Sequence, residues 1–254
     1  MYNKQIKANK TNFLNMHNLT ILTCNYNTPD LIVNLKKSID KYSCLDVEFV
    51  VINTSSDDNS EKILIENGIK FLNFKGEVHG RGVNFGLQQI TTKYVLLLDS
   101  DVIITSDISG IFNKFVDNNL TLAGRVVYNE GGKQLYPRVD PSFCFIDSEN
   151  LNKFGIKFFD EERTKLSRLT NDKVYNIGST MFEDVINNEL LIGDFDLRYK
   201  KFIHYEGMSW RVQSYDATKG DTDVDFGGTH PNKMLKTIGE QVRIQYYKDV
   251  KELL

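Results

Sequence analysis

An α/β fold is what this sequence predicts: a mostly parallel central sheet flanked by helices, followed by a less regular second half. Three observations predict it. Lys93-Tyr-Val-Leu-Leu-Leu-Asp-Ser-Asp101 is an unbroken apolar run that ends in two carboxylates. A run apolar on both faces reads as a central parallel strand covered by helices on each side. Around it, strand-like and helix-like segments alternate, the pattern of a parallel sheet with crossover helices. Glycine, proline and cap residues stand at the joints between them.

In order, Leu19 to Cys24 is a short apolar strand followed by Asn25-Tyr-Asn-Thr-Pro29. Thr28 suits an N-cap and Pro29 the first helical position. Leu31, Leu35 and Ile39 then recur at helical spacing. Val47 to Asn53 is a second strand, and Ser60 to Asn67 a short helix closed by Gly68 in a left-handed C′ position. Lys70 to Phe74 is a third strand, and Val83, Leu87 and Ile90 mark the next helix. After the Asp99 strand, Asp107 caps a helix carrying Ile108, Ile111, Phe112, Phe115 and Val116 on one face.

The division falls near Gly124, and beyond it the pattern loosens. Ser142 to Ile146 reads as a strand, and Ser148 to Phe154 as a short helix ended by Gly155. Lys157 to Asn171 is polar and reads as a mobile segment. Thr180 to Leu190 is a helix with Met181, Phe182, Val185 and Ile186 on its buried face, and Thr180 with Glu183 fits a capping box. Lys201 to Tyr205 is a strand, Asp216 to Gly228 a flexible loop, and Met234 to Leu254 a terminal helix or helix pair.

Bulk properties narrow the function classes. A net charge of −3 gives no global attraction to nucleic acid. No apolar stretch approaches the ~20 residues that span a bilayer. Met1 to Asn18 lacks the apolar core of a signal peptide, and Cys24, Cys44 and Cys144 are odd in number and form no Cys-x-x-Cys. The expectation is a cytoplasmic protein with reduced, mostly buried thiols.

Ligands in open α/β sheets bind outside the carboxyl ends of the strands, where Asp99 and Asp101 fall. Two carboxylates there suit a hard divalent cation that holds a diphosphate, though an acidic turn would look the same. His79-Gly-Arg-Gly-Val-Asn-Phe-Gly86 opens a helix, where glycines let backbone approach a phosphate or simply form a tight turn. Its spacing is not the dinucleotide fingerprint. Asp184 either complements its helix dipole or faces a cleft as a general base. His204 and Trp210 read first as core residues, and a partner such as Asp101 would make His204 a metal ligand.

The order of these motifs resembles family 2 glycosyltransferases with the GT-A fold, over roughly Leu19 to Trp210. The matching segments are Asn25-Tyr26-Asn27, Val51 to Asp57, Asn84-Phe85-Gly86, Tyr94 to Asp101, Glu183-Asp184, and His204 ahead of Gly207-Met208-Ser209-Trp210. The resemblance implies a GT-A-like, Rossmann-like sheet and a division of labour along the chain. Residues 1–18 are an extension, 19–124 the nucleotide-sugar-binding half, 125–233 the acceptor-binding and catalytic half, and 234–254 a helical tail. Asn25, Asn27, Asn53, Arg81, Asn84, Asp99 and Ser100 would line the donor, expected to be a UDP-sugar. Asp99, Asp101 and His204 would hold Mn²⁺ or Mg²⁺. Asp184 would deprotonate the acceptor hydroxyl for in-line attack with inversion. Ile52 stands where the family carries a base-reading aspartate, and Val102 where a third acidic residue is common.

The implied activity is a metal-dependent, inverting glycosyltransferase acting on a glycan or glycoconjugate. One alternative is a bacteriophage enzyme that glycosylates a hydroxymethylated DNA base. Its phosphate contacts would be Arg163, Lys165, Arg168, Arg198, Lys200, Lys201 and Arg211, or else these are solvated faces. A nucleotidyltransferase would need a glycine-rich signature after the first strand, which Asn25 to Pro29 does not supply. A non-catalytic nucleotide-sugar-binding protein is the remaining alternative. Donor sugar, acceptor and oligomeric state are not encoded in any motif.

Overall fold

A computed structural model describes residues 18–54, 59–76, 79–130, 133–170, 174–195, 200–205, 208 and 233–254. Its centre is a seven-stranded sheet built from both halves of the chain. The first half supplies β1 (Leu19–Asn25), β2 (Glu48–Thr54), β3 (Lys70–Phe74) and β4 (Tyr94–Leu98), all mutually parallel in the order β3-β2-β1-β4. Between them run α1 (Pro29–Tyr42), α2 (Ser60–Glu66) and α3 (His79–Gln89).

The chain then forms β5 (Val102–Ile104), α4 (Ser109–Asp117), β6 (Leu122–Glu130) and β7 (Lys133–Asp147). Strand β7 lies antiparallel to β4 and β6 antiparallel to β7, so the expected boundary near Gly124 falls within a strand of the common sheet. After α5 (Ser148–Phe154), α6 (Glu161–Thr170) and α7 (Ser179–Asn187), the short β8 (Ile192–Asp194) adds to β6. Strand β9 (Phe202–His204) pairs with β5 as a separate two-stranded ribbon, and α8 (Lys233–Leu253) is one terminal helix. None of the helices among the described residues is long and apolar enough to cross a membrane.

Alternation along β4 explains why the run is apolar throughout. Leu96 and Leu98 face a core with Ile32, Leu35, Ile108 and Phe115, while Val95 and Leu97 face another with Val83, Leu151, Met181 and Val185. Both faces are dry, as a sheet covered on two sides requires. The buried face of helix α3 combines Gly80, Gly82 and Gly86 with Val83 and Leu87, and two of the glycines meet the sheet closely. A Cβ at Gly86 would fall 2.9 Å from the side chain of Ile52, and one at Gly82 2.9 Å from Thr54. The glycine-rich segment is therefore helical, and in this fold its glycines serve helix-to-sheet packing.

Several local expectations hold. Pro29 opens α1, Gly68 is left-handed after α2 (φ 62°), and Gly155 closes α5 (φ 65°). The N-cap of α4 is Ile108 rather than the expected Asp107, whose carboxylate still accepts from Ser109 N–H as the helix begins. Others are corrected. Lys157 to Asn171 contains helix α6, whose polar sequence hid it because its buried face is Thr164 and Ser167 rather than apolar residues. The expected capping box at α7 does not form: Gly178 is the N-cap, Thr180 Oγ1 accepts from Asp160 N–H, and Glu183 bonds elsewhere. Ile186 is exposed rather than buried. Ile52 is buried beneath α3, so its side chain belongs to the core and not to a nucleotide site. Cys24 and Cys144 are buried free thiols, whereas Cys44 is exposed. Trp210 and Asp216 to Gly228 lie outside the described residues.

Candidate active site

Strand β4 ends at Leu98, and Asp99, Ser100 and Asp101 follow at the carboxyl edge of the sheet. The chain re-enters extended structure at once as β5, whose Val102 pairs with His204 of β9. Tyr205 N–H donates to the Asp101 carbonyl at 2.9 Å, which extends that ribbon by one step. The pairing carries His204 onto the two aspartates. Its Nε2 lies 3.3 Å from Asp101 Oδ1 and 3.6 Å from Asp99 Oδ2. One ligand atom from each of the three residues falls within 4.8 Å of the others. His79 Nε2 stands 4.0 Å from Asp99, on the outer side of the group.

The surroundings fix this cluster. Asp101 is buried, and its Oδ2 accepts from Met208 N–H at 3.0 Å. Ser38 Oγ of α1 accepts from Ile104 N–H and pins β5. Behind the ribbon, Leu31, Ile103, Tyr205, Met208 and Tyr246 form an apolar cluster that seats α8. Tyr205 donates to Asp249 at 2.6 Å, and Tyr246 accepts from Asn34 at 3.1 Å.

Charge is unevenly distributed here. Burial disfavours a charged imidazole, but the Asp101 hydrogen bond and the charges of Asp101, Asp99 and Asp140 outweigh it and push His204 up to about 9. Burial raises the Asp99 carboxyl, His204 opposes that shift, and the Asp101 charge adds to it. Asp140, on β7, was not visible in the sequence as a site residue. It bonds Arg125 at 2.7 Å and accepts from Ser142 N–H. Burial would raise its carboxyl, yet Ser142, Arg138 and Arg125 hold it below its ordinary value. The one available signal was Arg138-Val-Asp140, a charge pair just ahead of the apolar segment Ser142 to Ile146.

The asparagines expected on the donor side form a ladder across the same edge. Asn25, Asn53 and Asn73 are register partners on β1, β2 and β3. Asn25 donates to Asn53 at 2.9 Å and Asn53 to Asn73 at 3.1 Å. Asn25 Oδ1 also accepts from Thr28 N–H, which fixes the turn where Asn27 takes a left-handed φ of 55°. Ser100 is buried between the aspartates. Arg81 pairs with Glu161, and Asn84 both donates to and accepts from the Phe159 backbone.

Asp184 belongs to a second group. Arg163 Nη1 donates to both its oxygens, at 2.8 and 3.0 Å, and Nη2 donates to Glu183. Tyr175 donates to Glu183 at 2.7 Å and stacks on Tyr136. Burial opposes ionisation of Glu183, but Tyr175, Tyr136 and Arg163 hold its carboxyl below the ordinary range. Of the basic residues considered as DNA contacts, Arg163 and Lys165 pair with carboxylates and Lys201 donates to the Asp107 carbonyl. Lys200 is exposed, while the Arg168 side chain, Arg198 and Arg211 lie outside the described residues.

A mostly parallel α/β sheet with a carboxylate–carboxylate–imidazole cluster at its carboxyl edge is the arrangement expected of a GT-A glycosyltransferase. Residues 20–180 match the model of glycosyl transferase family 2, and the chain belongs to that family. Among curated relatives, the teichoic acid poly(glycerol phosphate) polymerase of Staphylococcus epidermidis is 30% identical over 95 residues, 34% of this chain. The matched region spans 13% of that much longer polymerase. Among solved structures, glucosyl-3-phosphoglycerate synthase of Mycobacterium tuberculosis superposes with a TM-score of 0.53 at 14% identity, covering 91% of this chain and 79% of that one. S. aureus TarS superposes at 0.51 and 17% identity, covering 90% and 70% respectively. The synthase has been solved with Mn²⁺, UDP-glucose and phosphoglyceric acid, and TarS with UDP-GlcNAc.

Proposed function

We propose that this glycosyltransferase moves a sugar from a UDP-sugar to a hydroxyl of a glycan or glycoconjugate, in the cytoplasm and with inversion. The observation that carries the reading is the convergence of Asp99, Asp101 and His204 at the end of β4. Two carboxylates and one imidazole fit Mn²⁺ well and Mg²⁺ adequately, since both are hard enough for carboxylate oxygen and Mn²⁺ also accepts nitrogen. A divalent ion held there supplies positive charge to the leaving diphosphate. The relatives solved with UDP-sugars, one of them with Mn²⁺, support the choice of donor and ion.

The chain's own residues do the rest. The Asn25–Asn53 ladder and the turn at Asn27 offer fixed amides to the base and ribose, with Arg81, Asn84 and Ser100 on the donor side. Asp184 accepts the proton of the acceptor hydroxyl as its oxygen bonds to the anomeric carbon. The bond from that carbon to the diphosphate oxygen breaks, and the nucleoside diphosphate leaves.

The test is nucleotide release from a panel of UDP-, GDP- and dTDP-sugars, with Mn²⁺ and with EDTA. Release from one donor that EDTA abolishes is the expected result. Binding of a nucleotide-sugar with no release, even with glycan or hydroxymethylated DNA acceptors added, would overturn catalysis.

A further inference from the structure

Helix α6 is attached to the body in an unusual way. Its exposed positions include Leu166 and Leu169, at 61% and 81%, while Thr164 and Ser167 are buried. No residue of α6 joins the apolar clusters formed by the described residues. Polar contacts hold it instead. Asp160 accepts from Arg163 N–H at its start, and Ser167 Oγ accepts from Tyr175 N–H further along. Arg163 reaches Glu183 and Asp184 on α7, and Glu161 reaches Arg81 on α3. The Arg81–Glu161 pair lines a cleft of about 420 Å³ together with Asn84 and Phe159 among others. Among the described residues α6 is thus held by polar contacts, and an element held in that way opens at low cost.

Arg163 Nη1 is nearly equidistant from both Asp184 oxygens and so occupies the space between them. An incoming hydroxyl cannot donate there while the guanidinium stays. We propose that Arg163 is a positioning residue that keeps Asp184 out of proton chemistry until the acceptor displaces it, the first turn of α6 serving as a polar strap over the acceptor side. This inference rests on Asp184 as the acceptor-side base. It adds that the base is gated, and that contact with the acceptor, not with water, releases it.

The probe is water itself, as hydrolysis of whichever UDP-sugar the wild-type enzyme turns over with Mn²⁺. Arg163→Gln should raise hydrolysis about five-fold, roughly 1 kcal/mol of relieved closure. Adding Asp184→Asn to that variant should abolish the rise. Arg163→Lys, which keeps a charge but loses the fork, should give a smaller increase, and it remains informative if the glutamine variant folds poorly. Hydrogen exchange should quicken over residues 161–170 in both variants while β4 stays protected. A parallel fall of hydrolysis with unchanged exchange in α6 would overturn the strap. Full activity of Asp184→Asn alone would overturn both strap and base, whereas absence of metal-dependent release in the wild type would overturn the proposed function itself.

Discussion

The two carboxylate corners of this enzyme are built in opposite ways. At the Asp99–Asp101–His204 corner the Asp101 side chain is 2% exposed and fixed by a backbone N–H, on a ribbon braced by α8. At the Glu183–Asp184 corner the Asp184 side chain is 28% exposed and held by Arg163, from a helix that joins none of the apolar clusters among the described residues. The difference fits the roles proposed for the two corners. A site that stabilises developing charge gains from dipoles that need not reorganise, and burial in a rigid frame supplies that. A site that takes a proton from an incoming hydroxyl has to become reachable when the acceptor arrives, and a polar, displaceable partner allows that.

The comparison breaks first at Asp101. Asp101→Ala should reduce metal-dependent nucleotide release on the order of 10³-fold, the scale of losing several kcal/mol of charge stabilisation. Turnover within ten-fold of wild type would mean that the rigid corner is not where the diphosphate charge is handled. Next comes its brace. Tyr246 is fully buried between α1 and the β5–β9 ribbon, so Tyr246→Ala should cost about 3–5 kcal/mol in urea unfolding. Mn²⁺ affinity should fall with it, because His204 loses its backing.

A smaller effect sharpens the electrostatic side. His204 is pushed up from 6.5 to about 9 in the folded chain. A raised folded value stabilises the protonated native state, so in EDTA this contribution is complete below pH 6.5 and is lost as pH rises through 9. The thermal midpoint of the metal-free enzyme should therefore fall between those pH values, and His204→Gln should remove that slope. With Mn²⁺ present the dependence should reverse, since the ion takes the neutral imidazole. The smallest effect belongs to the strap. Leu169→Ser should change stability by no more than about 0.5 kcal/mol, because that leucine faces outward. A larger loss would show that α6 is packed and not strapped.

Much of the first half was legible because local chemistry and tertiary packing agree there. β3 spans the expected Lys70 to Phe74, and Gly68 and Pro29 stand where their backbone preferences place them. The second half was read less well where burial and polarity part company. Helix α6 has no apolar face to reveal it, and β7 runs far beyond the apolar segment Ser142 to Ile146 because its other end pairs with β6 through polar residues. The capping box at Thr180 was a sound local pattern that lost to Asp160 and Arg163, partners distant in sequence.

By itself the sequence determined the alternating half of the fold, the position of Asp99 and Asp101 at a strand end, and the family, since periodicity, caps and motif order are local properties. Only the tertiary structure decided that His204 meets Asp101 across β5 and β9, that Asn25, Asn53 and Asn73 share one ladder, and that Arg163 covers Asp184. Each of those contacts joins residues 20 to 103 positions apart, or depends on a strand order that no local pattern encodes. Pairing at such distance is settled by which burial of the whole sheet costs least, and that is a property of the assembled core.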